Sequence, residues 1–273
     1  MGNALTKILE VKKTEVAAAR EQTPLAELEE RIKGLPKCRN FYTALTKRNP
    51  RGLNVIAEIK KASPSAGLIR EVFDPVALAR TYELIGADAI SVLTDETFFQ
   101  GKLEHLHRVK QAVALPVLRK DFIIDPYQIY QARAAGADAV LLIAEALAPG
   151  LLMDLMILAN SLSLTVLLEV HELETLLQIR SLIGFPQARY SLLGINNRNL
   201  KTMQVDINNT LRLAEFMDNR RELVSESGIK TRTDVQRLID AQIGSVLIGE
   251  TLMRSADIAG KFHELFTKPP RKY

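Results

Sequence analysis

Acidic and basic side chains end several apolar runs of this sequence, where they could act as acids, bases or electrostatic partners. Glu58 and Lys60 lie two residues apart at the end of the run VIAEIKK. Residues i and i+2 of a β-strand point to the same side, so this carboxylate and ammonium would share one face. We expect either catalytic groups or a simple ion pair at the rim of a strand.

Two further strand ends carry groups of the same kind. Lys120 ends a run in LPVLRKDF with Phe122 on the same side, which places a cation beside an aromatic wall, and Glu169 ends LTVLLEV. In SLLGINNR, Asn196 and Arg198 alternate onto one side and could orient a carboxylate or hydroxyls. The alternative for Asn196 and Arg198 is a solvated strand end.

Glycine-containing turns follow two more apolar runs, at Ser225–Gly228 and Ile248–Glu250. Exposed backbone N–H groups in such turns attract anions, and Gly249 permits close approach of the backbone. In α/β barrels the loops after the last two strands often bind phosphate. We expect a phosphate site there, with an ordinary turn as the alternative.

Eight apolar runs rich in Val, Ile and Leu alternate with helical patterns along the chain. Several become polar only at their C-terminal ends, which is typical of parallel strands buried on both faces. The runs begin at Val55, Ala87, Leu115, Ala137, Leu164, Ser191, Glu222 and Gly244. Asp74 and Asp125, each followed by proline, predict helix starts. Gly86 and Gly136 predict helix ends.

Eight βα units in about 200 residues can close into a barrel or form an open sheet. No G-x-G-x-x-G turn follows the first strand, which disfavours a dinucleotide-binding sheet. We therefore expect a single α/β domain over residues 1–273, a (β/α)8 TIM barrel. Residues 1–50 predict an N-terminal helical extension packed on the barrel, with helices at 4–20 and 25–33 and then a loop rich in basic residues. The last residues, 268–273, are expected to form a frayed tail.

The composition excludes several classes of protein. The 273 residues are 47% hydrophobic and 25% charged, and no apolar run approaches the ~20 residues that span a bilayer. The net charge of +4 is spread along the chain, which favours a small anionic substrate over a nucleic acid. The four histidines form no metal signature, and we expect them to be solvent-facing or half-buried. The first residues lack the pattern of a signal peptide, so we expect a cytoplasmic protein.

Several segments together resemble the indole-3-glycerol-phosphate synthase family. They are VIAEIKKASPSAGLIR, ISVLTDETFFQG, LRKDFIIDPYQIYQARAAGADAVLLIAEAL, LGINNRNL, VSESGI and LIGETLMR. The E-x-K-x-x-S-P-S and K-D-F elements in combination are highly specific to that family, and the opening segments resemble its N-terminal extension. The resemblance implies a carboxy-lyase of tryptophan biosynthesis. Such an enzyme converts 1-(2-carboxyphenylamino)-1-deoxyribulose 5-phosphate to indole-3-glycerol phosphate without metal or organic cofactor.

The resemblance also implies residue roles. Lys120 matches the general acid that protonates the ribulose carbonyl oxygen, and Lys60 matches its assistant. Glu58 and Glu169 match the catalytic carboxylates. The positions that match substrate-binding residues are Ser63, Asn196 and Arg198 around the anthranilate carboxylate, Glu226 at the ribulose hydroxyls, Ser227, Gly228, Gly249 and Glu250 at the phosphate, and Phe99, Phe122 and Leu141 around the aromatic ring. Since serine stands at position 250 in some members, we expect the Glu250 side chain to point away from the phosphate.

Two alternatives stay open. A barrel enzyme like phosphoribosylanthranilate isomerase would share the phosphate turns but not Glu58 and Lys60 together with Ser63. A non-catalytic partner that docks through the basic N-terminal segment would be expected to have lost Lys120 or Glu169. For the family reading we expect a monomer without membrane or nucleic-acid partners, and contact with other tryptophan-pathway enzymes stays open.

Overall fold

Eight parallel strands, β1 to β8 in chain order, form a closed barrel in this computed structural model, which describes residues 4–199 and 202–267. The strands are β1 Asn54–Ile59, β2 Ala89–Leu93, β3 Val117–Lys120, β4 Ala139–Ile143, β5 Thr165–Val170, β6 Ser191–Asn196, β7 Leu223–Glu226 and β8 Ser245–Ile248. Each strand pairs with its neighbours in chain order, and β1 pairs with β8 to close the barrel. The predicted (β/α)8 TIM barrel is confirmed, and each strand lies in one of the eight predicted runs except that β1 begins one residue earlier, at Asn54.

Helices follow the strands as the capping signals predict. In the described residues they are α1 Ala4–Gln22, α2 Leu25–Lys33, α3 Phe41–Thr46, α4 Pro75–Leu84, α5 Leu103–Ala112, α6 Pro126–Ala134, α7 Pro149–Ser161, α8 Leu173–Ile179, α9 Asn208–Leu213, α10 Arg232–Asp240, α11 Glu250–Met253 and α12 Ile258–Phe266. The Asp74 and Asp125 side chains cap α4 and α6, and Gly86 and Gly136 follow these helices with positive φ. None of the helices described is long and apolar enough to cross a membrane. The predicted tail, 268–273, lies outside the described residues.

Side chains alternate along the strands between the barrel interior and the layer beneath the helices. Ile56 lies inside, in one apolar cluster with Leu118 and Leu167 from β3 and β5. Its neighbours Val55 and Ala57 belong to the cluster between strands and helices. Because this alternation has a period of two, the next inward positions fall at the C-terminal strand ends, where the sequence turns polar.

Helix α1 is tied to the C-terminal end of the barrel by buried charges. The Nζ atom of Lys12, a residue only 3% exposed, lies 2.8 Å from Asp95 Oδ2 and 3.0 Å from Asp121 Oδ1. These aspartates follow β2 and β3, respectively. Burial alone would lower the pKa of Lys12, but the two aspartates outweigh burial and raise it, so the lysine stays charged. The helix is therefore held over the end where the polar residues collect.

The expectation of a loop between α2 and β1 is wrong in one respect, because α3 lies within it. Phe41 and Leu45 are fully buried and pack into the inner apolar cluster. The side chains of Asn54 and Ser245, at the starts of β1 and β8, both donate to the carbonyl of Leu45. Helix α3 thus closes the N-terminal end of the barrel. Six residues are too few to show helical periodicity, and the contacts that select this helix are long-range.

Candidate active site

One cavity at the C-terminal ends of the strands contains every site residue that the sequence predicted. These residues are Glu58, Lys60, Ser63, Phe99, Lys120, Phe122, Leu141, Glu169, Asn196, Arg198, Glu226, Ser227, Gly228, Gly249 and Glu250. Strand alternation accounts for Glu58, Lys120, Glu169 and Glu226, which occupy the last inward positions of their strands, whereas Lys60, Arg198 and Glu250 follow strand ends. Residues that are distant in sequence therefore share one site.

The ammonium of Lys120 lies at the centre of the charged groups. Its Nζ atom is 2.8 Å from Glu169 Oε2 and 3.2 Å from Glu226 Oε2. Burial alone would lower the pKa of Lys120. The carboxylates of Glu169, Glu226 and Glu58 outweigh burial and raise it. The lysine is therefore a cation throughout the neutral pH range.

Glu169 and Glu226 are both buried beside Lys120, yet their pKa values move in opposite directions. Burial raises the pKa of Glu169, but Lys120 and His171 outweigh burial and lower it. For Glu226, burial and the nearby charge of Glu169 prevail over the attraction of Lys120 and raise the pKa well above its usual value. Two carboxyl groups that titrate apart allow one to accept a proton while the other carries one.

Glu58 and Lys60 form an ion pair on the inner side of β1, as their spacing predicts. Lys60 Nζ donates to Glu58 Oε1 at 2.5 Å. The backbone of Gly249 approaches this pair so closely that a Cβ atom at position 249 would overlap Glu58 Oε1. A Cβ atom at position 194 would likewise overlap Glu226 Oε1. Both glycines leave room for a carboxylate.

The two predicted phosphate turns both line the cavity, after the neighbouring strands β7 and β8. Ser227 and Gly228 have left-handed backbones, with φ of 67° and 80°, and Gly249 directly precedes α11. The carboxylate of Glu250 accepts from Arg254 Nε at 3.0 Å and lies 3.8 Å from Arg198. These cations partly neutralise Glu250. Whether its side chain points away from a bound phosphate stays a prediction.

Comparison with known proteins identifies the family. The family model for indole-3-glycerol phosphate synthase matches residues 5–265. A relative of that name from Rhodopirellula baltica is 49% identical over 90% of this chain and 93% of its own length. Another from Polynucleobacter necessarius subsp. necessarius is 46% identical over 98% of this chain and its own full length. The chain belongs to the indole-3-glycerol phosphate synthase family.

This membership confirms the resemblance seen in the sequence, together with the enzyme class and the place in tryptophan biosynthesis. A solved structure of 3-hexulose-6-phosphate synthase also matches, with a TM-score of 0.61 over 78% of this chain and 98% of its own. Its sequence is only 16% identical, so the likeness shows the fold alone.

Apolar residues line much of the site. Those that come from α1 were not predicted from the sequence. Phe99 and Phe122 lie with ring centroids 5.9 Å apart, beside Leu141. Leu5 and Ile8, one helical turn apart and both nearly buried, complete the lining from α1. Their spacing could indicate one buried face, but not what that face covers.

The sequence analysis also missed His171, and the expectation of solvent-facing or half-buried histidines is wrong for this residue. His171 is 7% exposed, and its Nε2 atom lies 3.4 Å from Glu169 Oε1. The available signal was its position two residues after Glu169, which places both side chains on one side of the chain. The histidine therefore lies next to Glu169, which the family resemblance implies is a catalytic carboxylate.

Proposed function

We propose that this cavity converts 1-(2-carboxyphenylamino)-1-deoxyribulose 5-phosphate to indole-3-glycerol phosphate, with loss of carbon dioxide and water. The observation that carries the proposal is the partly buried ammonium of Lys120 between the carboxyl groups of Glu169 and Glu226. Ring closure needs an acid at a carbonyl oxygen and a base for the later dehydration. The site contains both beside an aromatic wall.

Lys120 is the proposed general acid. As the aryl carbon attacks the ribulose carbonyl carbon, negative charge develops on the carbonyl oxygen, and Lys120 donates a proton to it. The raised pKa keeps the proton on Lys120 until that charge appears. Lys60, which forms an ion pair with Glu58, assists by attracting the anionic groups of the substrate.

The carboxyl groups divide the remaining work. Glu58 and Glu169 stabilise the positive charge that develops on the ring nitrogen and accept protons during dehydration. The lowered pKa of Glu169 supports this role, because the group is ionised when the proton must be accepted. Glu226, whose pKa is raised, contacts the ribulose hydroxyls and can donate a hydrogen bond to them.

Substrate binding follows from the walls of the cavity. The backbone of Ser227–Gly228 and of Gly249–Glu250 holds the phosphate by its N–H groups. The anthranilate carboxylate lies near Ser63, Asn196 and Arg198, where an amide and a guanidinium can donate hydrogen bonds. The aromatic ring packs against Phe99, Phe122 and Leu141. The proposed substrate is therefore small and anionic.

Production of indole fluorescence by the purified chain tests the proposal. We expect product from 1-(2-carboxyphenylamino)-1-deoxyribulose 5-phosphate and none from phosphoribosylanthranilate. Isomerisation of phosphoribosylanthranilate without indole formation would favour the isomerase alternative. Binding of the substrate without turnover would favour a non-catalytic pathway partner.

Several expectations stay predictions beside this proposal. They are a single domain formed by barrel and extension, a monomeric state, a cytoplasmic location and a reaction without metal or organic cofactor. Contact with other tryptophan-pathway enzymes also stays open. Size-exclusion chromatography with light scattering tests the monomer, and activity after dialysis against a chelator tests the independence from metal.

A further inference from the structure

His171 has no part in the proposed reaction, and its ring lies between two carboxylates. Its Nδ1 atom is 3.1 Å from Glu145 Oε2, and its Nε2 atom is 3.4 Å from Glu169 Oε1. Among the described residues, Nε2 forms no hydrogen bond and faces Glu169 Oε1 within ion-pair distance. The imidazole therefore bridges Glu145 and Glu169.

Glu145 is held in place by the backbone. It lies in the short turn after β4, and its Oε1 atom accepts from the backbone N–H of His171 at 2.7 Å. The carbonyl of His171 in turn accepts from the Asn209 side chain at 3.0 Å. Both the histidine and its carboxylate partner are thus fixed from outside the substrate cavity.

Carboxylates only accept hydrogen bonds, and a neutral imidazole has one N–H group. An imidazole that faces a carboxylate oxygen at each ring nitrogen can satisfy both only when it carries two protons. Burial lowers the pKa of His171, but Glu145 and Glu169 outweigh burial and the repulsion of Lys120, and they raise it. These groups, from β3, β5 and the turn after β4, are the charges that bear on the ring.

The two oxygens of Glu169 face different surroundings. Oε2 accepts from Lys120, the proposed acid, at 2.8 Å. Oε1 accepts from Asn196 at 3.2 Å and faces His171. The carboxyl group of Glu226 also acts on Glu169 and is unchanged in every variant below, so a group at Oε1 can alter the charge and the orientation of Glu169 while Lys120 remains beside the other oxygen.

We propose that His171, anchored by Glu145, is a positioning residue that holds Glu169 as an oriented carboxylate from behind the cavity. The inference rests on the proposed role of Glu169 in ring closure. The imidazolium charge favours the ionised form of Glu169, and the ring, fixed by its hydrogen bond to Glu145, gives the Oε1 atom of Glu169 a charged neighbour at 3.4 Å. Loss of the charge should raise the pH at which Glu169 takes up a proton.

Two amide substitutions separate the contacts of the ring. His171→Asn places an amide near the Nδ1 position and retains a group for Glu145, whereas His171→Gln places an amide near Nε2 and retains one for Glu169. Both remove the charge. Glu145→Gln leaves His171 in place but removes the acceptor that supports its second proton. His107→Asn, at an exposed position on α5, is the matched control.

The assay is indole formation at saturating substrate from about pH 9, above the titration of imidazoles, down to the lowest pH at which circular dichroism shows the barrel folded, because the surroundings of Glu169 lower its pKa to about 2. We expect the acid limb of kcat to move upward by about 1–3 units in both His171 variants, the usual effect of losing a neighbouring charge. His171→Asn should lose more kcat than His171→Gln, with little change in KM. Glu145→Gln should shift the limb in the same direction, and His107→Asn should match the wild type.

A second readout does not depend on activity. Titration of the histidine ring signals by NMR in the wild-type chain should give His171 a pKa above 6.5, and Glu145→Gln should lower it. Folding of each variant is checked by circular dichroism. If a His171 variant does not fold, Glu145→Gln and the NMR titration decide.

An unchanged acid limb in the folded variants, even with reduced kcat, would show a purely structural role and overturn the proposal. A His171 pKa at or below 6.5 in the wild type would do the same. Absence of indole product from the wild type would refute the proposed function instead, and the NMR titration would still report whether the imidazole is charged.

Discussion

Substitution of Lys120 by Met tests the centre of the proposed mechanism. Methionine keeps an apolar stem of similar length in the buried site and removes the ammonium that lies 2.8 Å from Glu169 and 3.2 Å from Glu226. The change has two consequences that differ in their pH dependence. The acid is lost at every pH, and Glu169 loses the cation that lowers its pKa.

The first consequence sets the main loss. Positioned general acid catalysis contributes roughly 10²–10⁴-fold, so kcat should fall by that factor, equivalent to about 2.7–5.4 kcal/mol of activation free energy. The second consequence lowers kcat further at low pH. A neighbouring cation typically lowers a carboxyl pKa by about 1–3 units, so without Lys120 the carboxylate of Glu169 should protonate at higher pH. The ratio of wild-type to variant kcat should therefore be larger at pH 5 than at pH 8.

The assay is indole formation at saturating substrate, because we expect Lys120 also to attract the anionic groups of the substrate and its loss to raise KM. Lys102→Met, at an exposed position before α5, controls for the chemical change. Lys60→Met is measured in parallel because Lys60 is the other ammonium among the described residues that line the cavity. Circular dichroism checks that the barrel remains folded.

A Lys120→Met variant that keeps more than about a tenth of the wild-type kcat would refute the reasoning, since that loss is well below the range for a general acid. If Lys60→Met then showed the larger loss, the acid role would pass to Lys60. Equal kcat ratios at pH 5 and pH 8 would refute the electrostatic link between Lys120 and Glu169 but leave the acid role intact.

Four further predictions concern the base, the phosphate turns and two truncations of the extension. Glu169→Gln should lower kcat by roughly 10²–10⁴-fold, because the amide cannot accept the proton; a loss below tenfold would contradict the role. Inorganic phosphate should inhibit competitively by binding between Gly228 and Gly249, and noncompetitive inhibition would place it elsewhere. Removal of residues 1–22 should raise KM several-fold without unfolding the barrel, because α1 lines the cavity. Removal of residues 1–46 should unfold the barrel, because loss of a buried Phe or Leu side chain costs about 2–5 kcal/mol, and unchanged thermal melting would contradict this.

The strands and their inward residues could be predicted because β-structure has a period of two. Once the run containing Ile56 is assigned to a buried parallel strand, Glu58 and Lys60 must share one face. The same reasoning applies to Lys120 with Phe122, and all of these residues line the cavity. Local sequence was sufficient here because each prediction concerns neighbours along one strand.

Features that depend on contacts between distant segments could not be predicted in this way. Helix α3 is selected by the fit of Phe41 and Leu45 into the end of the barrel, and its local sequence is too short to be periodic. The spacing of two residues could have suggested the contact of His171 with Glu169. The contact with Glu145 could not be predicted in this way, because Glu145 lies in the turn after another strand, β4. The sequence alone does not reveal a role for such a histidine, because its burial and its contacts are properties of the folded chain.

Two different explanations apply to the glycine at position 249, and the sequence alone does not distinguish them. The turn after β8 predicted that Gly249 allows close approach of the backbone to phosphate, and this role stays a prediction. Its φ of −126° lies outside the left-handed region, so the positive-φ argument for glycine does not apply to it. A side chain at this position would overlap Glu58, just as one at Gly194 would overlap Glu226. A Cβ atom at either position would therefore displace the carboxylate opposite it, whatever the phosphate contributes at position 249.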